Sequence, residues 1–424
     1  MNAGGSGHFG GGGRADQAST RRRNLGLIMR HLRDNGGSYR AQIAAETGLS
    51  KATASTLIAD LVARGLVSEG EISARGAVGR PGLTVTLDSQ GVCGIGIEVN
   101  ADYLCVVVAG LSGEVIEYLT EAIEVPPDAP EEVADRMGRL LNRVLDDCRA
   151  AGRRPAGVTI AAPGVIDPRT GSVRLAPNLG WRDVPLTALV DKRLGGQLPV
   201  LIENDAKLGA LAEHARVARD GVHDLLYITG DIGVGGGIIS GGALLRGADG
   251  FAGEIGHMPL DPQQRQCNCG RRGCWEKAIG LPTFLELAAD ADDPVRDARR
   301  PLEDRLTELR GRADEGDTRT TAAIGQIAQL LGTGVSIVVD VLNPQLVVLG
   351  GYFAWFGASI VEPVTVILES RRIGQLANPV AVAISDSGLA AAARGGAHLA
   401  LGSVFDDPTL VDVVEPAVGK RRAP

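Results

Sequence analysis

The 424-residue sequence has no uninterrupted apolar run near the roughly 18–20 residues that a membrane span requires, so we expect no membrane-spanning segment. It also lacks a secretory signal, because its first residues are glycine-rich and polar and instead predict a disordered leader over residues 1–19. Its six cysteines are too few for a disulfide framework in a chain of this length. These absences predict a protein of the reducing cytoplasm.

The net charge of −8 is unevenly distributed. Residues 1–90 contain 11 Lys/Arg and 7 Asp/Glu, a net charge of +4, which leaves −12 for the rest of the chain. A basic head on an acidic body favours nucleic-acid binding by the head.

Residues 20–90 have the pattern of a winged helix-turn-helix domain. Apolar residues at helical spacing, a capping serine and glycine turns mark three helices, and a period-two segment marks a hairpin. The predicted elements are helices over Arg21–Asn35, Arg40–Thr47 and Ser50–Ala63, and strands over Leu66–Ser68 and Leu83–Leu87.

The third helix is the predicted reader of the DNA major groove. With Ala54, Leu57 and Leu61 facing the core, small polar residues face outward and allow a close approach to DNA. The basic loop over residues 74–81 can reach phosphate or the minor groove. A helical module for protein docking is the alternative, but it would not need the wing tip Gly79-Arg80-Pro81. The predicted DNA-contacting residues are Ser50, Lys51, Ala52, Ser55, Thr56, Arg75 and Arg80.

A cluster of metal-binding residue types lies in the second half of the chain. His257 is followed by Cys267, Cys269 and Cys274, four residues of the kind that bind zinc tetrahedrally. Gly270 and Gly273 permit the tight turns that this spacing needs. A core histidine beside free thiols, or one disulfide with a thiol left over, is the alternative. We predict structural zinc, because the four protein ligands leave no position for water.

Acidic and amide residues surround this cluster in sequence. Glu254 and Glu276 flank it, Asn204-Asp205 follows a predicted strand at 200–202, and Asn178 lies in a loop. Carboxylates accept hydrogen bonds and amides both donate and accept them, which suits sugar hydroxyls that do both, and an aspartate among them could act as a base in phosphoryl transfer. Taken singly, each is more often a solvated surface residue.

The motif Glu254-Ile255-Gly256-His257 with the Cys267–Glu276 segment resembles the signature of the ROK family of repressors and sugar kinases. The resemblance covers residues 20–415 and implies an α/β two-lobed actin-like (ribonuclease H-like) sugar-kinase fold. It implies lobes over 91–218 plus 395–415 and over 219–394, and a flexible tail over 416–424. It places Asp205 at the position of the kinases' catalytic base. It also places six residues at sugar-contacting positions: Asn178, Asn204, Asp205, Glu254, His257 and Glu276.

The sequence departs from the kinases of this family at the loops that bind phosphate. Glu98 to Tyr103 stands where the kinases have a motif resembling D-x-G-G-T-K, so both glycines, the threonine and the lysine are missing. Asp102 adds a negative charge there. The second loop, residues 231–237, keeps its glycines but has Ile232 where threonine is usual.

These features predict a sugar-responsive transcription regulator, most simply a repressor of carbohydrate genes, rather than an enzyme. Its expected partners are a palindromic double-stranded DNA operator, an unphosphorylated sugar and further copies of the chain in a homodimer or homotetramer. One alternative is an ATP-dependent sugar kinase of the same family, with or without DNA binding. A third hypothesis is a winged protein-docking domain on an inactive kinase body.

Overall fold

The computed structural model describes residues 12–71, 83–123, 125, 129–371 and 379–414, and it divides into two compact units. The first unit comprises Met1–Cys93, Gly110–Glu114 and Leu401–Pro424. The second comprises Gly94–Ala109 and Val115–Ala400.

The first unit contains the predicted three helices and hairpin. Apolar residues at helical spacing bury one face of each helix, including Leu25, Ile43 and Leu57. A two-residue strand that the sequence analysis missed completes a sheet of order β1-β3-β2. The elements are α1 (Gly12–Asn35), β1 (Ser38–Tyr39), α2 (Arg40–Thr47), α3 (Lys51–Ala63), β2 (Val67–Glu71) and β3 (Leu83–Leu87).

The prediction of a disordered leader over residues 1–19 is wrong from Gly12 onward, where α1 begins. Residues 15–23 contain Ala, Gln and Arg, which are good helix formers. Once the packed turn at Leu25 exists, each preceding residue extends the helix without a new nucleation step.

The first lobe of the second unit is built on a five-stranded sheet of order β11-β7-β4-β5-β6. Its central strands β4 and β5 are buried along their whole length, as their continuous apolar sequences predict. A small sheet of order β10-β9-β8 lies in the connection between β7 and β11. The elements are β4 (Val92–Val99), β5 (Tyr103–Gly110), β6 (Val115–Ala122), α4 (Pro130–Ala150), β7 (Arg154–Ala162), β8 (Val165–Asp167), β9 (Ser172–Ala176), β10 (Trp181–Val184), α5 (Leu186–Leu194), β11 (Val200–Asn204) and α6 (Asp205–Val217).

The second lobe has its own five-stranded sheet, of order β14-β13-β12-β15-β16, packed against helices. The charge-rich segment at 290–320 is not wholly solvated, because α9 buries Leu306 and Leu309 in this core. The elements are β12 (Leu225–Gly230), β13 (Val234–Ser240), β14 (Ala243–Leu244), α7 (Glu276–Ile279), α8 (Leu281–Ala288), α9 (Leu302–Asp314), α10 (Thr318–Leu342), β15 (Leu346–Gly351), α11 (Ala358–Arg371) and β16 (Ala381–Ile384).

One helix of the described residues, α10, is long and apolar enough to cross a membrane by length and composition alone. Its most apolar window is 56% buried within the structure. Ile327, Leu331 and Val335 of this helix are buried in the core of the second lobe, which accounts for its apolar composition.

The C-terminal boundary of the first lobe differs from the prediction of 395–415. Helix α12 (Ala391–Ala400) packs against α6 and β7, but α13 (Gly402–Asp406) and the segment to Val414 belong to the winged-helix unit. Phe405 is buried there, and the carbonyl of Ala63 in α3 accepts a 2.8 Å hydrogen bond from the Val414 amide. Contacts made across the whole chain decided this boundary, and no local sequence pattern marks it.

Candidate functional site

A cavity of about 90 Å³, here called the central cleft, lies where β11 and β12 end. Its walls come from both lobes of the second unit. All six residues that were predicted to contact a sugar line it: Asn178, Asn204, Asp205, Glu254, His257 and Glu276.

Asn204 and Asp205 are adjacent but are placed differently. The Asn204 side chain caps α6, accepting a 3.1 Å hydrogen bond from the Lys207 amide and donating another of 3.1 Å to the Gly164 carbonyl. Asp205 is the first residue of α6. Burial, and secondarily the charge of Glu254, raises the pKa of Asp205 to about 6. Asp205 is therefore poised for proton exchange, whereas Asn204 chiefly holds the junction of β11 and α6.

His257 presents its two ring nitrogens to two different environments. Its Nε2 lies 3.7 Å from Glu254 Oε2. Its Nδ1 lies 3.9 Å from Cys267 Sγ. Nδ1 also lies 4.0 Å from Glu276 Oε1, so the imidazole lies among Glu254, Glu276 and the cysteine cluster.

The cleft also depends on a glycine of the second phosphate loop. A Cβ at Gly233 would lie 2.9 Å from Asn178 Nδ2 and 3.1 Å from Glu276 Oε2. Any larger residue at this position would push the two polar side chains apart. The retained glycine therefore shapes the cleft as well as the loop.

The four predicted zinc ligands come together in space. One ligand atom from each of His257, Cys267, Cys269 and Cys274 lies within 4.8 Å of the others. The three cysteines are free thiols, and Cys267 Sγ lies 2.8 Å from Glu276 Oε1. One imidazole and three thiols are a donor set that suits a tetrahedral divalent metal ion. A disulfide among these cysteines, one of the alternatives, is not formed.

The segment that was expected to replace the first phosphate loop forms a hydrogen-bonded network with Asp231 of the second glycine-rich loop. Asn100 donates a 2.8 Å hydrogen bond to Asp231 Oδ2, and its amide nitrogen also lies 3.1 Å from the Tyr103 hydroxyl. The Tyr103 hydroxyl donates a 3.0 Å hydrogen bond to Glu98 Oε1. We call these four residues, Glu98, Asn100, Tyr103 and Asp231, the carboxylate network.

The carboxylate network is strongly desolvated. Burial raises the pKa of Glu98 well above its usual range, and the nearby Asp205 and Asp231 add to the shift. Burial, followed by the charge of Asp102, raises the pKa of Asp231 to about 7. The cavity beside Glu98, Tyr103 and Asp231 has a volume of about 30 Å³ and is smaller than the central cleft.

Asp102 was expected to repel a triphosphate, but it lines neither of these two cavities. Glu98 and Tyr103, the first and last residues of the same segment, line the smaller cavity. The hydrogen-bonded role of Glu98 was not predicted. The signal available in the sequence was a lone acidic residue within the apolar strand β4, because a buried carboxyl group needs a partner. Asp231 was noted only as part of a glycine loop.

The predicted DNA-reading residues lie in the first unit, mostly on the exposed face of α3. Lys51, Ala52 and Thr56 are exposed, and Ser55 is partly buried. The Ser50 hydroxyl caps the helix by accepting a 3.1 Å hydrogen bond from the Thr53 amide, so its first role is structural. Arg75 and Arg80 lie outside the described residues.

Comparisons with known proteins cover both units. Residues 94–403 match the ROK family model, and residues 26–84 match that of the MarR family. The xylose repressor of Caldicellulosiruptor bescii is 33% identical over 356 residues, covering 81% of this chain and 87% of the relative. A glucokinase of Halalkalibacterium halodurans is 29% identical, covering 72% of this chain and 94% of the relative.

A solved structure has the same fold over almost the whole chain. It is a ROK family transcriptional regulator described as a homologue of the Escherichia coli MLC protein, with a TM-score of 0.71 and 23% identity. The match covers 94% of this chain and 100% of that one. These matches confirm the actin-like sugar-kinase fold preceded by a winged helix. The chain belongs to the ROK family, and its ROK body carries an N-terminal MarR-like winged helix-turn-helix domain.

Proposed function

We propose that this protein is a sugar-responsive transcriptional repressor that binds operator DNA through its winged helix and an unphosphorylated sugar in the central cleft. The observation that carries the proposal is the carboxylate network, which is formed by the segment that we expect to replace a phosphate loop, beside a cleft lined by all six predicted sugar-contacting residues. Relatives named as xylose repressors support the assignment to gene regulation.

The DNA-binding part of the proposal rests on the exposed face of α3. Lys51 is available to a phosphate, and small residues beside it permit a close approach of the helix to base edges. Arg75 and Arg80 of the wing loop are proposed as further phosphate or minor-groove contacts. A homodimer or homotetramer would read a palindromic operator with half-sites separated by whole helical turns.

The sugar-binding part rests on the chemistry of the central cleft. Glu254, Glu276 and Asp205 accept hydrogen bonds from hydroxyls, and the Asn178 amide both donates and accepts. His257 offers Nε2 to the same space. We infer that a bound sugar favours a body conformation incompatible with DNA binding, so that sugar relieves repression.

Zinc is the metal that we propose for the cysteine cluster. His257 Nδ1 and the thiolates of Cys267, Cys269 and Cys274 would hold it, and its chemistry there is structural crosslinking of the loop between β14 and α7. By fixing the imidazole from one side, the cluster orients Nε2 toward the cleft. A cytoplasmic location is proposed with it, because these thiols must stay reduced.

A second candidate function, an ATP-dependent sugar kinase, is favoured by one observation. Asp205 is buried in the cleft with a pKa raised to about 6, as a catalytic base requires. A glucokinase is also among the relatives. Against this, residues 98–103 lack the glycines, the threonine and the lysine that we expect of a phosphate-binding loop in the kinases.

One experiment separates the two functions. DNA fragments selected by the purified full chain from its genome are used in a gel-shift titration, with and without a panel of unphosphorylated sugars. The repressor function requires specific binding that at least one sugar weakens. The same panel with ATP in a coupled ADP-release assay should give no turnover, and turnover would favour the kinase instead.

A further inference from the structure

A second cavity, with a volume of about 660 Å³, lies beside the central cleft and has no role in the function proposed above. We call it the side cavity; it is lined by residues 165–169, by Arg174 and by residues 246–251. Gly164 lines the central cleft and the next residue, Val165, lines the side cavity. The two spaces therefore adjoin at this point of the chain.

The loop that forms one wall of the side cavity is anchored to the sugar site. Arg246 Nε donates a 2.9 Å hydrogen bond to Glu203 Oε2, and Glu203 is buried directly before Asn204. The Lys207 ammonium donates a hydrogen bond to the Gly250 carbonyl. Residues 246–251 are thus held against the junction of β11 and α6, which also presents Asp205 to the central cleft.

The charges around the side cavity are balanced. Each of its three arginines has a carboxylate partner: Arg246 with Glu203, Arg174 with Asp183 at 2.8 Å, and Arg169 with Asp167 at 3.5 Å. Asp249 adds a further exposed carboxylate. The cavity therefore has no surplus positive charge with which to attract a phosphate or another anion.

The same groups suit a neutral ligand with many hydroxyls. Guanidinium groups donate hydrogen bonds to hydroxyl oxygens, and carboxylates accept from hydroxyl hydrogens. Phe251 is 56% exposed at this cavity and offers an aromatic surface to the apolar face of a sugar ring. Small-ligand pockets typically measure about 300–1,000 Å³, a range that includes the side cavity.

We propose that the side cavity is a second sugar subsite, so that the preferred effector is a disaccharide or longer oligosaccharide. One ring occupies the central cleft, and the next ring lies against Phe251 between Arg246 and Arg174. This inference rests on the proposed function of the central cleft and names the substrate class of that site.

The test is isothermal titration calorimetry on the full chain with matched pairs of ligands. Glucose, xylose and N-acetylglucosamine are each compared with their α-1,4- and β-1,4-linked disaccharides. At least one disaccharide is expected to bind about tenfold more tightly than its monosaccharide. Phe251→Ala should remove that advantage and leave the monosaccharide affinity unchanged. Leu245→Ala is the matched control, because Leu245 is an exposed apolar residue just before the same loop that does not line the side cavity.

Two outcomes would overturn the second subsite: no disaccharide binding more tightly than its monosaccharide, or a disaccharide advantage that survives Phe251→Ala. In either case monosaccharide binding would leave the proposed function intact. If no sugar of either length bound, the proposed function would fail together with the subsite, so the two failures are distinguishable.

Discussion

Asn100, at the end of β4, donates a 2.8 Å hydrogen bond to Asp231, at the end of β12. These two strands belong to the two different five-stranded sheets of the body. The bond therefore joins the two lobes directly through side chains.

This bond should contribute measurably to stability. We expect Asn100→Ala to lower the free energy of unfolding by about 1–2 kcal/mol, because it removes the 2.8 Å donor of a partly buried carboxyl, which keeps only the longer 3.5 Å hydrogen bond from the Tyr103 hydroxyl. Urea unfolding of Asn100→Ala, Asp231→Asn and the double variant forms a double-mutant cycle that isolates the pair. Additive effects of the two single substitutions would show that the bond contributes nothing.

The raised pKa of Asp231 predicts a pH dependence of stability. Because its folded-state pKa of about 7 exceeds the usual value of 3.8, the folded chain binds more protons than the unfolded chain between these limits. Its contribution to stability is therefore fully present below about pH 4 and is lost as the pH rises through 7. Unfolding measured between pH 5 and 8 should show a loss of stability that is smaller in Asp231→Asn. An equal slope in both proteins would contradict the assignment.

Metal content provides a test of the cysteine cluster. We expect the purified protein to contain about one zinc ion per chain and Cys269→Ser to contain much less, since a closed structural site needs all four ligands. Elemental analysis measures the zinc content of each protein. Sugar titration tests whether His257 Nε2 is still oriented toward the central cleft. Cys148→Ser, in the buried face of α4, is the control and should retain the metal. Retention of zinc by Cys269→Ser would argue against the ligand set.

The C-terminal segment should stabilise the winged-helix unit. Phe405 is 3% exposed, and its carbonyl accepts a 3.1 Å hydrogen bond from Arg30 of α1. Removing its ring in Phe405→Ala should cost about 3–5 kcal/mol, as truncation of a buried aromatic does. Leu410→Ala, at a residue that is 63% exposed, should cost far less. Amide hydrogen exchange in α1 and α3 shows whether the loss of stability lies in the winged-helix unit. Equal protection of these helices in Phe405→Ala and Leu410→Ala would contradict the prediction.

Lys51 should contribute to DNA affinity through a phosphate. Lys51→Ala is expected to weaken binding to every sequence alike and to reduce the slope of log affinity against log salt by about 1. Fluorescence anisotropy at several salt concentrations measures both quantities. Lys192→Ala, at an exposed position of α5, removes the same charge from the body and should change neither. A loss confined to one operator sequence would instead indicate a base contact.

The sequence by itself determined the local helices and strands and the types of residue that form the predicted metal cluster. Helical periodicity, the Ser50 cap and the glycine turns were enough to locate α2 and α3, because these signals act within a few residues. The spacing of His257 and the three cysteines was enough to predict a cluster, because the loop that connects them is short. The departure of residues 98–103 from the expected phosphate-loop motif was also evident from the sequence alone.

Only the tertiary structure decided how residues far apart in sequence are combined. It assigned Leu401–Val414 to the winged-helix unit, and it paired Asn100 with Asp231 across 131 residues of chain. It also showed that the Tyr103 hydroxyl donates a hydrogen bond to Glu98 and that both residues line a small cavity that Asp102 does not line. Burial sets which carboxyl groups lose their water and shift their pKa, and burial depends on packing from both lobes rather than on local sequence.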